Sequence, residues 1–309
     1  MLCPVKILGI VVVLGVSVQG VVHQVSTVSQ LKNALSSVNP GDIIRLAAGT
    51  YKAGLNSDRN GTATNPIIME GPADAILTNT NYAFHLLGSY WILRGFTAAN
   101  GKKGIVVDYG GHNILENLTV RDLEEEGIHF RFFSSDNIVR NCKVYNTGTK
   151  RPGYGEGIYI GQDRGKWVNN QPDKCDRIQI INNTIGPNCA GEGIDIKEGT
   201  CCGLIKGNYF DGHGLSDVNS DDSWVDVKGD SYIVEDNRGY WTLEDGFQVR
   251  DHMPVDSGIV SGCNNVFRRN HCDMYASGYC IYFANKGKCA SNTVEDSNTL
   301  TNGGQMTNL

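Results

Sequence analysis

The chain has 309 residues, 38 of them glycine, with 27 Lys and Arg against 33 Asp and Glu and a formal net charge of −6. That balance disfavours generic nucleic-acid binding, so an anionic ligand would need a local basic stripe. No stretch after the first twenty residues reaches eighteen consecutive apolar positions, which argues against a membrane-anchored product.

Lys6 precedes the apolar run from Ile7 to Val18, and Val18-Gln19-Gly20 offers small residues at a cleavage site. The pattern predicts a signal peptide over 1–20 and one secreted domain over 21–309. Removing Lys6 leaves 26 basic and 33 acidic residues, a net of −7. Nine cysteines remain (Cys142, Cys175, Cys189, Cys201, Cys202, Cys263, Cys272, Cys280 and Cys289). In an oxidising compartment they predict disulfides, with at least one thiol left over. No CxxC spacing supports a zinc site of that kind. Asn60, Asn117 and Asn182 begin glycosylation sequons, usable only where the side chain faces solvent.

Next in the chain, Val28, Leu31 and Leu35 fall on one helical face of the stretch from Ser26 to Leu35, predicting a short helix that caps an open sheet edge. Pro40-Gly41-Asp42 then turns into a strand, Ile43 to Leu46.

From there a short unit recurs: glycine, apolar, variable, apolar, variable. The copies are Gly104-Ile-Val-Val-Asp108, Gly127-Ile-His-Phe-Arg131, Gly157-Ile-Tyr-Ile-Gly161, Gly193-Ile-Asp-Ile-Lys197, Trp224-Val-Asp-Val-Lys228, Gly246-Phe-Gln-Val-Arg250 and Gly278-Tyr-Cys-Ile-Tyr282. Each reads as a period-two strand with one buried face. A second unit follows, an apolar residue three positions before asparagine, at Asn117, Asn141, Asn183, Asn208, Asn237 and Asn270. Stacked asparagines can bridge successive coils through their amides. Strands at irregular intervals of tens of residues, with almost no amphipathic helix, predict an all-β solenoid, a right-handed parallel β-helix. The end, Asn302 to Leu309, offers no second cap and is expected to fray or to pack on something.

The opening from Leu31 to Tyr51, the stretch from Gly61 to Pro72 and the coil repeats resemble secreted pectate-lyase-like β-helix proteins. That fold hosts lyases, hydrolases, epimerases and binders alike.

Aligning the copies by their glycine sorts outward residues into columns about 4.8 Å apart from coil to coil. One holds Glu126, Glu156, Glu192 and Asp245; a second His129, Tyr159, Asp195, Asp226 and Gln248; a third Arg131, Gly161, Lys197, Lys228, Arg250 and Tyr282. Acids and bases thus share the middle coils with Tyr159, His129, Trp167 and Trp224, which suit stacking on sugar rings, and Arg131 adds a charge for an acidic substrate. Like charge from Lys228 and Arg250 is expected to depress the pKa of Lys197.

The run from Glu192 to Lys197 is similar to the acid-to-lysine spacing of polysaccharide lyase family six, and family nine is an equally close resemblance. Those resemblances imply β-elimination on an acidic, uronic-acid polysaccharide such as pectate or alginate, with calcium as cofactor. They imply Lys197 as base, Arg250 as assisting arginine with Lys228 on the coil between, and Glu192 as a metal ligand, Glu156 matching a second ligand one coil earlier. In the family-nine reading Asp195 and Asp226, with Asp221 and Asp222, serve calcium. The expected form is a monomer acting on polysaccharide, away from nucleic acid and membrane. A noncatalytic glycan binder and a glycoside hydrolase are the alternatives; the hydrolase motifs occur here in the wrong order.

Overall fold

Strands that bury only one face need neighbours above and below, and the repeats supply them by stacking. The structure, a computed structural model, describes residues 20–220, 222–253, 258–259, 261–284, 289 and 291–309. Most of the expected leader, and Asp221, lie outside the described residues. Along one sheet Ile128 pairs with Ile158, then Ile194, Val225, Phe247 and Ile281, all in parallel and all buried. A second inward row runs Phe130, Ile160, Ile196, Val227, Val249 and Phe283. Three parallel sheets of 11, 10 and 10 strands result, each strand pairing with the equivalent one a coil away. This is a parallel β-helix whose core is the column of apolar side chains between the sheets.

The cap is present. Helix Val28–Ser37 starts at Thr27, whose side chain accepts the Gln30 N–H while the Gln30 side chain accepts the Thr27 N–H, and it buries Leu31, Ala34 and Leu35. This reciprocal box satisfies two backbone donors at the helix start. The C-terminal residues do not fray: Thr299–Thr301 and Gln305–Thr307 continue two of the sheets.

Two registers differ from expectation. The buried amide ladder runs through Asn183, Asn208, Asn237, Asn270 and Asn298, each amide nitrogen 3.0 Å from the next side-chain oxygen. Asn117 and Asn141 do not belong to it. They align with Asn182 at an exposed corner, with φ of 54°, 54° and 55°, a left-handed conformation that asparagine tolerates. Tyr282 pairs with Gln248, not beside Arg250, so the last coil is offset by two residues from the glycine alignment.

Cys201–Cys202, Cys263–Cys289 and Cys272–Cys280 are bonded, leaving three buried thiols at Cys142, Cys175 and Cys189. Burial pushes the Cys142 thiol up to about 12, which makes it inert.

Candidate active site

Strands Ile158–Ile160, Ile194–Ile196, Val225–Val227 and Phe247–Val249 set the middle coils side by side. Their alternation turns Tyr159, Asp195, Asp226 and Gln248 outward in one row. Lys197, Lys228 and Arg250 follow one position past the paired residues. The ammonium of Lys197 lies 2.6 Å from Asp195 Oδ2, and that of Lys228 lies 2.8 Å from Asp195 Oδ1 and 2.6 Å from Asp226 Oδ2. Arg250 donates from Nε to Gln248 Oε1 at 2.9 Å and sits 3.6 Å from Asp226. Gln248 in turn donates to Asp222 and Asp245. Lys197, Lys228 and Arg250 therefore share one face.

The electrostatics reverse one expectation. Burial by itself would lower the Lys197 pKa, but the charge and hydrogen bond of Asp195 outweigh it and raise the amine well above its ordinary value. The Asp195 carboxylate stands between the two lysines, 2.6 Å from one amine and 2.8 Å from the other. Asp195 is held at about 2, against burial, by the two lysines.

Toward the N-terminal coils, Lys197 Nζ stands 4.9 Å from the centre of the Tyr159 ring, which meets His129 edge-on at 4.4 Å. Burial, then the charges of Asp195 and Glu156, push the Tyr159 phenol well above its usual value. His129 is buried, with Nε2 3.0 Å from the Gly161 carbonyl, and desolvation lowers its pKa against the pull of Glu126. It supports Tyr159 from beneath instead of facing solvent. Arg131 remains partly exposed and makes a two-pronged pair with Asp108 at 2.8 Å and 2.7 Å. Asp108, held at about 2 against burial by His85 and Arg131, belongs to this face. The sequence signalled it as the last residue of its repeat copy, but the expected third column began only at Arg131.

Trp224 is corrected outright. It is 1% exposed, donates Nε1–H to the Trp241 carbonyl at 2.6 Å and packs on Phe247. It occupies the position where the other coils carry glycine, and that position points inward. A Cβ on Gly239 or Gly246 would come within 2.2 Å or 2.6 Å of the indole. Those glycines make the space that the ring fills, so Trp224 cannot stack on a sugar.

Glu156, Glu192 and Asp195 bring carboxylate oxygens within 4.8 Å of one another. Asp226 stands outside this group, with Lys228 at its Oδ2 and Arg250 3.6 Å away, while its Oδ1 is buried without a hydrogen-bond partner. Glu156 has one oxygen, Oε2, buried with no hydrogen-bond partner. Burial and the charges of Glu126 and Asp195 push its carboxyl well up. An all-oxygen donor set with an orphaned acceptor fits a hard cation such as calcium, which takes six to eight oxygens, although Asp195 is already gripped by Lys197 and Lys228.

Residues 16–175 match the family described as Pel9A-like, right handed beta helix region. The chain is similar to the crystal structure of an alginate lyase from Paenibacillus sp. str. FPU-7, 34% identical, over 93% of this chain and 97% of that one, with a TM-score of 0.85. The structure of pectate lyase Pel9A shares the fold at 17% identity and a TM-score of 0.62, over 86% of this chain and 73% of that one. Pectate lyase L of Dickeya chrysanthemi is 25% identical over 42% of this chain, a match spanning 36% of that relative's own length. With a matched segment of just over half its residues and a near full-length relative above 30% identity, the chain belongs to the Pel9A-like right-handed β-helix family.

Proposed function

We propose that the chain is a secreted polysaccharide lyase that cleaves an acidic polysaccharide by β-elimination, with alginate as the first substrate to test and pectate the second. The observation that carries the reading is the Lys197 amine poised between Asp195 and the Tyr159 ring on the charged sheet face. Likeness to an alginate lyase along nearly the whole chain supports it and favours alginate.

In this reading Arg250 and Arg131 attract the substrate's carboxylates by charge, through guanidinium N–H groups not already given to Gln248 and Asp108. Lys228 anchors Asp195 and Asp226, which fixes the position of Lys197. Lys197 removes the proton from the carbon bearing the carboxylate. The released electron pair forms a double bond to the neighbouring carbon, the glycosidic bond breaks, and the departing oxygen takes a proton from the Tyr159 phenol, which burial keeps protonated. Glu156, Glu192 and Asp195 would hold calcium, which would supply positive charge to offset the substrate carboxylate.

The test is a screen of alginate, pectate, glucuronan and dermatan sulfate for the ultraviolet absorbance of unsaturated uronate ends. Product from at least one, lost in Lys197→Ala with folding intact, is the expected result. Affinity for alginate with no unsaturated product would instead make the protein a glycan binder, and saturated reducing ends would make it a hydrolase.

A further inference from the structure

Beside the acidic patch three loops meet at a second group of ligand atoms. Asp163 precedes the turn Arg164–Lys166, Glu198 follows Lys197, and His252 lies two residues past Arg250. One ligand atom from each lies within 4.8 Å of the others, with His252 Nε2 3.8 Å from Asp163 Oδ2. Asp163 Oδ1 accepts the Gly165 N–H at 2.8 Å, which leaves Oδ2 for the cluster. His252 is steadied by its N–H to Ser261 Oγ at 3.2 Å, and that hydroxyl donates to the Lys228 carbonyl at 2.8 Å.

Glu198 gives the cluster its meaning. The residue is 0% exposed; Oε1 accepts the Arg164 N–H at 2.6 Å, and Oε2 has no partner. Among the described residues no lysine or arginine forms an ion pair with it. A buried carboxylate oxygen without a partner is costly, and a cation is the partner that removes the cost. Asp163 and His252 are both nearly half exposed, so an ion can enter from solvent and their side chains can close on it.

We propose that Asp163, Glu198 and His252 bind a zinc ion, with water completing its shell. Two carboxylates and one imidazole suit zinc, whose ligands sit at about 2.0–2.2 Å, whereas calcium takes oxygen alone. The Glu156 group, all carboxylate, is the harder site, so the two sites select different ions. Because Glu198 adjoins Lys197 and the His252 segment is tied to the Lys228 coil, zinc would staple the loops flanking the candidate active site. The inference stands whether or not the chain cleaves polysaccharide.

The experiment titrates the full chain with Co²⁺, a coloured substitute for zinc, following its visible absorption. Expected are ligand-field bands saturating at one equivalent, displaced by Zn²⁺ and untouched by excess Ca²⁺. Even outer-shell partners of a metal ligand are worth about 10–100-fold in affinity, so His252→Ala and Asp163→Asn should each weaken binding at least that much. Glu156→Gln should leave it unchanged. Both former side chains are well exposed, and an unaltered metal-free melting temperature confirms folding. Absence of the bands, their persistence at full affinity in both variants, or their loss in Glu156→Gln overturns the proposal.

Discussion

Lys197 and Lys228 stand on successive coils yet grip one carboxylate, the two oxygens of Asp195 lying 2.6 Å and 2.8 Å from their amines. Asp195 is 2% exposed, so removing its charge strands two poorly solvated ammonium groups side by side. Breaking one partner of a buried pair costs about 3–5 kcal/mol. Asp195→Asn should lose stability of that order in urea unfolding, and adding Lys228→Met should restore part of it by deleting one of the stranded charges. A loss within about 0.5 kcal/mol, as for an ordinary surface substitution, would mean that water already screens the cluster.

A pH effect of opposite sign to the usual carboxylate follows from Asp245. Burial first, then the charge of Glu244, pushes it up to about 6 from 3.8. A folded-state value above the unfolded one means that the folded form binds the proton more tightly. The stabilisation is complete below about pH 3.8 and is lost as pH rises through about 6. The difference is worth about 3 kcal/mol, at about 1.36 kcal/mol per unit. Asp245→Asn cannot titrate, so its stability relative to the parent should improve by up to that amount between pH 4 and pH 7. Urea midpoints across this range that stay parallel for the two proteins would refute the shift.

The asparagine ladder offers a comparison between two positions that look alike in sequence. Asn237 is 1% exposed, accepts from the Asn208 backbone N–H at 2.9 Å and donates to the Ile205 carbonyl at 2.9 Å. Asn237→Ala leaves both buried groups without these bonds, at about 1–3 kcal/mol for each unsatisfied group. Asn117 faces solvent with φ of 54°, where glycine fits without strain. Asn117→Gly should therefore fall within about 0.5 kcal/mol of the parent. Equal losses at the two positions would restore the single column that the sequence suggests.

That pair also marks the limit of what the sequence discloses. The inward rows were legible because a one-residue error would have turned every isoleucine outward. Corners carry no such check. Early coils (Ile114-Leu115, Ile138-Val139) and later ones (Leu204-Ile205, Ile233-Val234) alike hold two consecutive apolar residues, and counting from the first in the early coils but the second in the later shifts the asparagine column by one; Leu115, Val139, Ile180 and Ile205 are the aligned set. At Tyr282 the offset is two residues, which preserves inside and outside and leaves the hydrophobic pattern unchanged. The charged face was readable as columns, but the charge balance was not, because the pKa of Lys197 depends on whether Asp195 or Lys228 lies nearer. Asp163, Glu198 and His252 are far apart in the chain and lie on irregular loops, so no periodicity announces them.

Trp224 separates packing from recognition. Trp224→Ala should empty the space bounded by Gly239, Gly246 and Phe247, costing about 3–5 kcal/mol as large-to-small changes in a core do. Below its unfolding midpoint the variant should bind oligosaccharide as the parent does, because the indole meets no solvent. Titration of alginate oligosaccharides by calorimetry at low temperature checks this, and a loss of affinity without loss of stability would return Trp224 to the binding face.

Tyr159 carries the last expectation. Its phenol is kept protonated by burial and the nearby acids, and its ring lies against the Lys197 ammonium and His129. Tyr159→Phe keeps the ring, the edge contact and the cation's platform, and removes only the O–H. A group that gives its proton to the leaving oxygen is worth about 10²–10⁴ in rate, so kcat on the preferred polymer should fall by that range while KM holds. A substrate platform would behave in the opposite way, with little change in Tyr159→Phe and a raised KM in Tyr159→Ala. Because Asp195 raises the Lys197 pKa, the parent's rate should also climb toward alkaline pH, where more of the amine is free to accept a proton. A rate that instead declines steadily above neutrality would exclude Lys197 as the base and leave Tyr159 to be judged alone.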